Sequence, residues 1–345
     1  MKILYCVQLT GNGHVTRANE LIPEFKKVAK VDVLSSGNQN SLEIKEKVSF
    51  KLRGLSFVFG SKGGVDIFKT IINLRPITFI RDVFSIQVRN YDLIINDFEP
   101  VSAWACKLRG VPCYSMSRQF SLIQKNSFNK EKPKLYEFLI LKYFAPSVKG
   151  IGFDYKKDNS NNFYPIIKSE IKRKKVINRN HYTIYLPSFS IENIINFFSS
   201  LDEVIWHVFS PKINKSFKKN NLSFFPTDYK VFEQSILSCK GIISNAGFET
   251  TSEALYLNKK LLIIPMKNQF EQQYNASILS DMGVKILLDL KPKRLNKVKE
   301  WILSEKSVKV NYDYNYKSII EKTLLDFQKI SKKKTHLKDG SFLFF

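Results

Sequence analysis

The sequence predicts an α/β protein of two doubly wound domains, each a parallel sheet with helices on both faces, that meet at a cleft. Short apolar runs alternate with amphipathic segments over the first third of the chain. A polar and charged stretch at 150–181 breaks this pattern, and the alternation restarts beyond it. Strands that alternate with helices in this way favour parallel sheets covered on both sides. We therefore expect one domain at 1–165, a second at 166–330 and a separate tail at 331–345.

The same pattern predicts the individual elements. In the first domain we expect strands at 2–7, 31–34, 56–60, 92–96 and 111–115, and helices at 15–28, 66–89 and 100–109. In the second domain we expect strands at 182–186, 204–209, 241–244, 261–264 and 284–288, and helices at 229–239, 249–257, 269–282 and 292–303. Because the carboxyl ends of parallel strands share one rim of a sheet, the loops after these strands are the expected positions of functional residues.

Size and composition exclude several classes of protein. With 345 residues, of which 43% are hydrophobic, the chain can bury two sizeable cores. No apolar run reaches the roughly 18 residues that a transmembrane helix needs, and the amino terminus does not have the pattern of a signal peptide. The four cysteines are scattered without a C-x-x-C pair, which argues against a disulfide framework or a zinc finger. We therefore expect a cytoplasmic protein.

The net charge of +24 raises the question of an anionic partner. The basic residues form short separate clusters rather than one stripe, and no nucleic-acid-binding motif accompanies them. We therefore expect no nucleic acid partner. An anionic membrane surface or an acidic glycan would be attracted to such a surface, which would place the protein peripherally on the inner membrane face. An ordinary solvated surface is the alternative. The carboxyl-terminal end, with aromatic residues behind a lysine run, could dock at a lipid interface or simply pack or fray.

Two polar residues follow strands of the first domain and could form a catalytic pair. His14 comes after Thr10-Gly11-Asn12-Gly13 at the start of a predicted helix, where a neutral imidazole could act as a general base. Asp97 follows the buried strand 92–96, and a carboxylate on the far nitrogen of a histidine fixes its tautomer. Two other roles for Asp97 stay open: a cap of the next helix, or a metal-binding pair with Glu99.

The second domain carries two segments suited to a nucleotide and a sugar. After the strand 241–244, Gly247 gives a turn, and Thr250 and Thr251 lie at a helix start, where amide groups and hydroxyls favour an anion such as a diphosphate. Glu253 lies one turn further and could accept hydrogen bonds from both hydroxyls of a ribose. Behind the strand 261–264, acidic and amide side chains crowd another helix start and could bind sugar hydroxyls: Glu271, Gln272 and Gln273.

The segment 241–276 resembles the donor-binding motif of the GT-B glycosyltransferases, in particular that of small prokaryotic members that carry Ala-Gly-Phe-Glu-Thr followed by Glu-Gln-Gln. The matching residues are Gly247, Thr250, Glu253, Pro265, Glu271, Gln272, Asn275 and Ala276. Gly13 and His14 are similar to the loop that bears the catalytic base of inverting members, and Asp97 falls where their supporting Asp lies. The chain departs from the plant members, which have a His, a Trp and an Asn in place of Asn245, Phe248 and Glu249.

The resemblance implies a GT-B fold of two Rossmann-like domains, with the acceptor bound by the first and the donor by the second. It implies an inverting glycosyltransferase of cell-envelope or surface polysaccharide synthesis that uses a UDP-sugar, a glycan or lipid-linked acceptor, and neither metal nor cofactor. The expected donor site is Gly13, Asn245, Gly247, Phe248, Thr250, Thr251, Glu253, Glu271 and Gln272. Acceptor contacts are expected from Ser117, Arg118 and Gln119. Two alternatives stay open: a nucleotide-sugar epimerase of the same fold, and a non-catalytic glycan-binding module.

Overall fold

The protein contains two seven-stranded sheets with helices packed on their faces. The computed structural model describes residues 1–37, 42–55, 75–123, 132–157, 161–267, 269–312 and 316–338. The predicted strand at 56–60 and the first part of the predicted helix at 66–89 lie outside these residues. The α/β fold class and the two doubly wound halves predicted from the sequence are confirmed.

The first sheet has the strand order β3-β2-β1-β4-β5-β6-β7, and all of its neighbouring strands are parallel. Its strands are β1 (Lys2–Gln8), β2 (Lys30–Ser36), β3 (Phe50–Leu52), β4 (Leu93–Asp97), β5 (Cys113–Met116), β6 (Lys149–Phe153) and β7 (Asn162–Phe163). The helices of this half are α1 (Asn12–Lys26), α2 (Pro76–Ser85), α3 (Pro100–Leu108), α4 (Arg118–Leu122) and α5 (Leu135–Tyr143), with a 3₁₀ turn at Val88–Asn90. The central strands β1 and β4 are buried on both sides. Because they pair in parallel, their carboxyl ends lie beside each other at the rim.

The second sheet has the order β10-β11-β9-β8-β12-β13-β14 and is parallel except for the β10–β11 hairpin. Its strands are β8 (His181–Tyr185), β9 (Ile205–Phe209), β10 (Phe217–Lys219), β11 (Leu222–Phe225), β12 (Gly241–Ser244), β13 (Lys260–Ile263) and β14 (Lys285–Ile286). The helices are α6 (Ser169–Arg173), α7 (Ile191–Phe198), α8 (Tyr229–Ser238), α9 (Phe248–Tyr256), α10 (Phe270–Asp281) and α11 (Leu295–Leu303), with a 3₁₀ turn at Pro292–Arg294.

The sequence pattern missed β6, which the prediction left partly in the polar break. Its sequence Lys-Gly-Ile-Gly-Phe contains two glycines, which weaken a strand signal. The structure shows why they are needed: a Cβ on Gly150 would lie 2.4 Å from the backbone oxygen of Ser115, and one on Gly152 would lie 2.6 Å from the Cβ of Ser121. Close packing against the neighbouring strand and helix therefore requires glycines, and these glycines weaken the sequence pattern that would predict a strand.

The last helix, α12 (Tyr316–Lys338), returns to the first sheet rather than staying with the second. Asp326 accepts a hydrogen bond from the Tyr114 hydroxyl at 2.9 Å and pairs with Lys149 Nζ at 2.7 Å. The assignment of 316–330 to the second domain is therefore corrected, because this segment packs on the first. The helix also continues to Lys338, so the tail does not begin as a separate segment at 331; residues 339–345 lie outside the described part of the chain.

Two stretches of chain connect the halves, and they contact each other through Tyr316. Its hydroxyl donates to the backbone oxygen of Ile167 at 2.7 Å and accepts from Lys172 Nζ at 2.8 Å. The halves also share one continuous apolar cluster, in which the ring of Tyr155 lies 4.9 Å from that of Phe248. The predicted boundary at 165/166 falls in the first of the two connecting stretches and stays a prediction. Within the described residues, no helix is long and apolar enough to cross a membrane.

A stacked pair of histidines in the second half predicts a pH-dependent stability. The rings of His181 and His207 lie 4.0 Å apart, and burial, followed by the charge of His207, lowers the pKa of His181 to about 4; burial also lowers the pKa of His207. An unfolded histidine has a pKa of about 6.5, so between pH 6.5 and 4 the unfolded chain binds protons that the folded chain does not. We expect the urea midpoint of unfolding to fall as the pH is lowered through this window.

His207→Phe is the matched variant, because a phenyl ring keeps the stacking on His181 and the edge contact with Phe225 but does not titrate. It should unfold near the wild-type midpoint at pH 7.5 and lose less stability than the wild type by pH 4.5. Buried carboxyls whose pKa is raised by burial, such as Glu99, act in the opposite direction over this range. Parallel pH curves for the variant and the wild type would contradict the prediction.

Candidate active site

The loop after β1 places His14 on the rim of the first sheet. Gly11 has a φ of 103°, a conformation that favours glycine, and α1 begins at the next residue. His14 is the third residue of α1 and is buried, with its ring parallel to that of Phe98 at 6.5 Å. Phe98 itself has a φ of 55°, which non-glycine residues rarely adopt, so the chain turns sharply directly after Asp97.

His14 and Asp97 form a direct contact of 2.7 Å between Nδ1 and Oδ1. Burial alone would raise the pKa of Asp97, but the Arg17 cation and His14 outweigh it and hold that pKa below its usual range. Because a carboxylate only accepts hydrogen bonds, Asp97 favours the tautomer with the proton on Nδ1, and Arg17 NH2 lies 2.9 Å from the same nitrogen. In the neutral imidazole of that tautomer the lone pair is on Nε2.

The two alternative roles of Asp97 are not supported by the geometry. The cap of α3 is Glu99, whose carboxylate accepts from the backbone nitrogens of Val101 and Ser102, each at 2.7 Å. Both Glu99 oxygens also accept from serine hydroxyls and face away from Asp97 into the core. Among the described residues no group of three or more His, Cys, Asp or Glu side chains is arranged to hold a metal ion.

Arg17, which the sequence analysis did not single out, completes this cluster. Its Nε and NH2 donate to the two oxygens of Asp97 at 2.8 and 3.0 Å, and its NH1 donates to Glu249 Oε1 at 3.0 Å. Arg17 follows His14 by three residues on α1, the spacing that puts two side chains on one helix face. That spacing was the available signal. The partners lie 80 and 232 residues away, which the sequence alone does not reveal.

Two cavities open between the halves. The smaller one, of about 200 Å³, is lined by His14, Arg17, Phe98, Arg118, Gln119, Glu249 and Glu271 among others. The larger one, of about 810 Å³, is lined by residues that include Gly13, Lys168, Tyr229, Gly247, Glu249, Thr250 and Glu253. Gly13 lies on both, and a Cβ there would come within 1.9 Å of Glu249 Oε1, so a larger residue would require the Glu249 side chain to move. The structure thus brings the predicted base and part of the predicted donor site to one cleft.

Four predicted donor residues reach these cavities in the second half. Gly247 caps α9, and Thr250 lies in its first turn, so backbone amide groups of the helix start face the larger cavity. Glu253 is buried and pairs with Lys168 Nζ at 2.9 Å. Burial raises the pKa of Glu253, and Lys168 opposes that rise. Glu271 lines the smaller cavity, and burial likewise raises its pKa while Arg118 opposes it.

The other four predicted donor residues of this half are bonded within the protein instead. The Thr251 hydroxyl donates to the Gly247 carbonyl and contacts the Tyr155 hydroxyl. Gln272 Oε1 accepts from the backbone nitrogens of Ala246 and Met266 at 3.2 and 3.1 Å. The remaining two hold loops in place, since Asn245 donates to the Ile264 carbonyl and Phe248 packs under the Arg118 guanidinium. These contacts show how the four residues support the loops, and their direct contacts with a donor stay a prediction.

The three predicted acceptor residues have different surroundings. Ser117 is buried and caps α4, accepting from the backbone nitrogen of Phe120 at 3.1 Å. Arg118 is buried between the halves, with Asp154 Oδ2 at 2.8 Å and Asn275 Oδ1 at 2.7 Å. Gln119 lines the smaller cavity, and within the described residues its Oε1 is buried without a hydrogen-bond partner. The acceptor contacts expected of these three residues stay a prediction, and the Ser117 hydroxyl also has a structural role as a helix cap.

Two doubly wound domains that face each other across a cleft, with polar side chains from both rims in that cleft, define a protein of the GT-B class. The family model for glycosyl transferase family 1 matches residues 1–304, and the chain belongs to this family. It is a glycosyltransferase. The resemblance read from the sequence is thereby confirmed. A search of curated protein sequences found no match.

Solved structures with the same fold share little sequence with this chain. A putative UDP-N-acetylglucosamine 2-epimerase from Listeria monocytogenes has a TM-score of 0.57 at 10% identity, covering 99% of each chain. The spinosyn forosaminyltransferase SpnP has a TM-score of 0.56 at 14% identity, covering 96% of this chain and 95% of its own. Phytolacca americana UGT2, complexed with UDP-2fluoro-glucose and pterostilbene, has a TM-score of 0.55 at 11% identity, covering 95% and 93%. These similarities establish the fold.

Proposed function

We propose that this glycosyltransferase inverts the anomeric configuration and transfers a sugar from a UDP-sugar to a hydroxyl of a glycan or lipid-linked acceptor, without a metal ion. The observation that carries the proposal is the buried His14–Asp97 pair at the smaller cavity, in which the carboxylate favours the tautomer with the proton on Nδ1 and the lone pair on Nε2. A base in this state can take a proton from an acceptor hydroxyl that enters the cleft.

In the proposed reaction the acceptor oxygen gives its proton to His14 Nε2 and forms a bond to the anomeric carbon. The bond from that carbon to the diphosphate oxygen breaks, and its electron pair leaves with UDP. Attack from the face opposite the leaving group inverts the configuration. The amide groups at the start of α9, near Gly247 and Thr250, would stabilise the charge that develops on the diphosphate. Glu253 would accept from the ribose hydroxyls, and Glu271 would accept from the sugar.

The UDP assignment is supported by the resemblance of the 241–276 segment and by the fold of the Phytolacca enzyme, whose structure holds a UDP-sugar analogue. We further propose a role in cell-envelope or surface polysaccharide synthesis, with the protein on the cytoplasmic face of the membrane. The net charge of +24 supports attraction to anionic lipids. On α2 the exposed Ile77, Ile80 and Phe84 follow helical spacing beside the exposed Arg81, a pattern suited to an interface.

Calorimetric titration with UDP, with GDP and CMP as comparisons, tests the donor site first. We expect UDP to bind selectively, and Glu253→Gln to weaken its binding by about tenfold, because an amide cannot accept both charge-assisted bonds from the ribose. The matched control is Glu300→Gln, an exposed carboxylate on α11 that should leave UDP affinity unchanged. Equal UDP affinity in Glu253→Gln and the wild type would exclude the ribose role.

The epimerase alternative is kept because the Listeria protein shares the fold over nearly the whole of both chains. An epimerase converts a nucleotide-sugar without an acceptor. Incubating the protein with UDP-sugars alone and analysing the nucleotide-sugar by NMR separates the two functions. A new UDP-sugar without release of UDP would favour the epimerase, whereas UDP release that depends on an acceptor would favour the transferase.

A further inference from the structure

A line of charged side chains crosses the cleft from the donor half to the proposed base. Glu249 is the second residue of α9, and its Oε1 lies 3.0 Å from Arg17 NH1. Arg17 also holds both oxygens of Asp97, and Asp97 holds His14. The line therefore runs Glu249, Arg17, Asp97, His14, and its contact between Glu249 and Arg17 joins the two halves.

We propose that Arg17 is a positioning residue with two tasks: it fixes the Asp97–His14 pair, and it neutralises Glu249 beside the donor diphosphate. The inference rests on the proposed function, since it takes His14 as the base and the start of α9 as the diphosphate site. It goes beyond that function by assigning a role to Arg17 and Glu249, which the expected catalytic and donor-binding residues do not include.

The first task follows from the geometry of the guanidinium. Its planar fork meets both Asp97 oxygens, at 2.8 Å from Nε and 3.0 Å from NH2. A carboxylate held at both oxygens cannot rotate, so the imidazole bonded to it is also held. The Arg17 side chain is 4% exposed and Asp97 is fully buried, so water cannot replace this support. Displacing a catalytic group by about 1 Å can cost about 100-fold in rate.

The second task follows from the position of Glu249. Its carboxylate lines both cavities and lies against Gly13, at the helix start where the diphosphate is proposed to bind. An unpaired carboxylate there would repel the diphosphate, because like charges repel and are screened less beside protein than in bulk water. Arg17 NH1 cancels that charge. The Glu249 side chain is one-third exposed, whereas the Arg17 side chain is buried and is held in place by its contacts with Asp97.

Arg17→Met, Glu249→Gln and the double variant separate the two tasks. We expect Arg17→Met to lower kcat by about 100-fold and to weaken UDP binding by about tenfold. In the double variant UDP affinity should return to within about threefold of the wild type, because the unpaired charge is gone, while kcat stays about 100-fold low. Lys27→Met is the matched control, since it removes an exposed cation directly after the end of the same helix and should change neither quantity.

A second readout needs no substrate. In Arg17→Met the Asp97 carboxylate is no longer held at both oxygens, so its hydrogen bond with His14 Nδ1 should loosen. The ¹⁵N NMR signals of the two His14 ring nitrogens, which differ when one tautomer is fixed, should then shift towards each other. Arg17→Met should show this shift, and Lys27→Met should not.

Wild-type kcat in Arg17→Met, unshifted His14 ¹⁵N signals in that variant, or a double variant that binds UDP as weakly as Arg17→Met would each overturn the inference. Failure of the proposed function gives a different result. If the wild type transfers no sugar, Arg17→Met should still shift the His14 ¹⁵N signals, because that readout depends only on how Arg17 holds the pair. Thermal unfolding of each variant confirms that a lost rate is not a lost fold.

Discussion

Replacing His14 with alanine is expected to lower the rate of sugar transfer by about 1,000-fold while UDP affinity stays within about threefold of the wild type. General base catalysis contributes about 100- to 10,000-fold, and the variant removes the group that would take the acceptor proton. The donor-side residues Gly247, Thr250 and Glu253 belong to the opposite half, so their contacts with the nucleotide should persist. Initial rates at saturating donor and calorimetric titration with UDP provide the two measurements.

His207→Phe serves as the control for the loss of a histidine. His207 lies on β9 and stacks on His181 away from the cleft, so at pH 7.5 this variant should transfer sugar at the wild-type rate. Asp97→Asn should also lower the rate, because an amide can present a donor to Nδ1 and so favour the wrong tautomer. If His14→Ala still transferred sugar at the wild-type rate, His14 would not be the base.

Replacing Arg118 with methionine is expected to lower the free energy of unfolding by about 3–5 kcal/mol, the usual cost of leaving a buried charge without its partner. Arg118 pairs with Asp154 at 2.8 Å and donates to the Phe153 carbonyl at 2.6 Å and to Asn275 Oδ1 at 2.7 Å. The side chain is 1% exposed, so neither water nor salt can compensate. Urea unfolding followed by circular dichroism measures the loss.

Two further variants show whether the loss comes from the stranded carboxylate. Arg53→Met removes an exposed arginine and should change the free energy of unfolding by less than about 0.5 kcal/mol. Arg118→Met combined with Asp154→Asn should be less destabilised than the sum of the two single variants, because the pair is removed together. A loss below about 1 kcal/mol in Arg118→Met would contradict the prediction.

Most strands and helices of the described chain were predictable because they bury continuous apolar runs, as β1 and β12 do. β6 was not, since its glycines are required by close packing rather than by strand propensity. The helix α12 was not predicted, and its first part was assigned to the second domain. Its place on the first half depends on the contact of Asp326 with Tyr114, which lies 212 residues earlier. A sequence pattern shows which residues of a segment are buried. It says little about which distant segment packs against them.

The candidate site shows the same difference between features that local sequence predicts and features that depend on distant segments. Local context was enough to bring His14 and Asp97 forward, since each follows a strand whose carboxyl end lies on the rim. The donor motif placed its residues at the starts of α9 and α10, but it did not distinguish side chains that line the cleft, such as Glu253, from those with hydrogen bonds inside the protein, such as Gln272. That distinction depends on which carbonyl and amide groups lie opposite, and these come from separate strands.

The contact of Tyr316 with both connecting stretches has a mechanical consequence. The second half is an insertion within the first, attached by two adjacent crossings that a single tyrosine hydroxyl links at Ile167 and Lys172. A domain attached by one connecting segment can rotate about that segment. A domain attached by two segments can rotate only about the axis that joins them. We therefore expect the cleft to open for substrate exchange by a hinge motion, with Tyr316 at the hinge and the ion pair of Arg17 with Glu249 across the cleft.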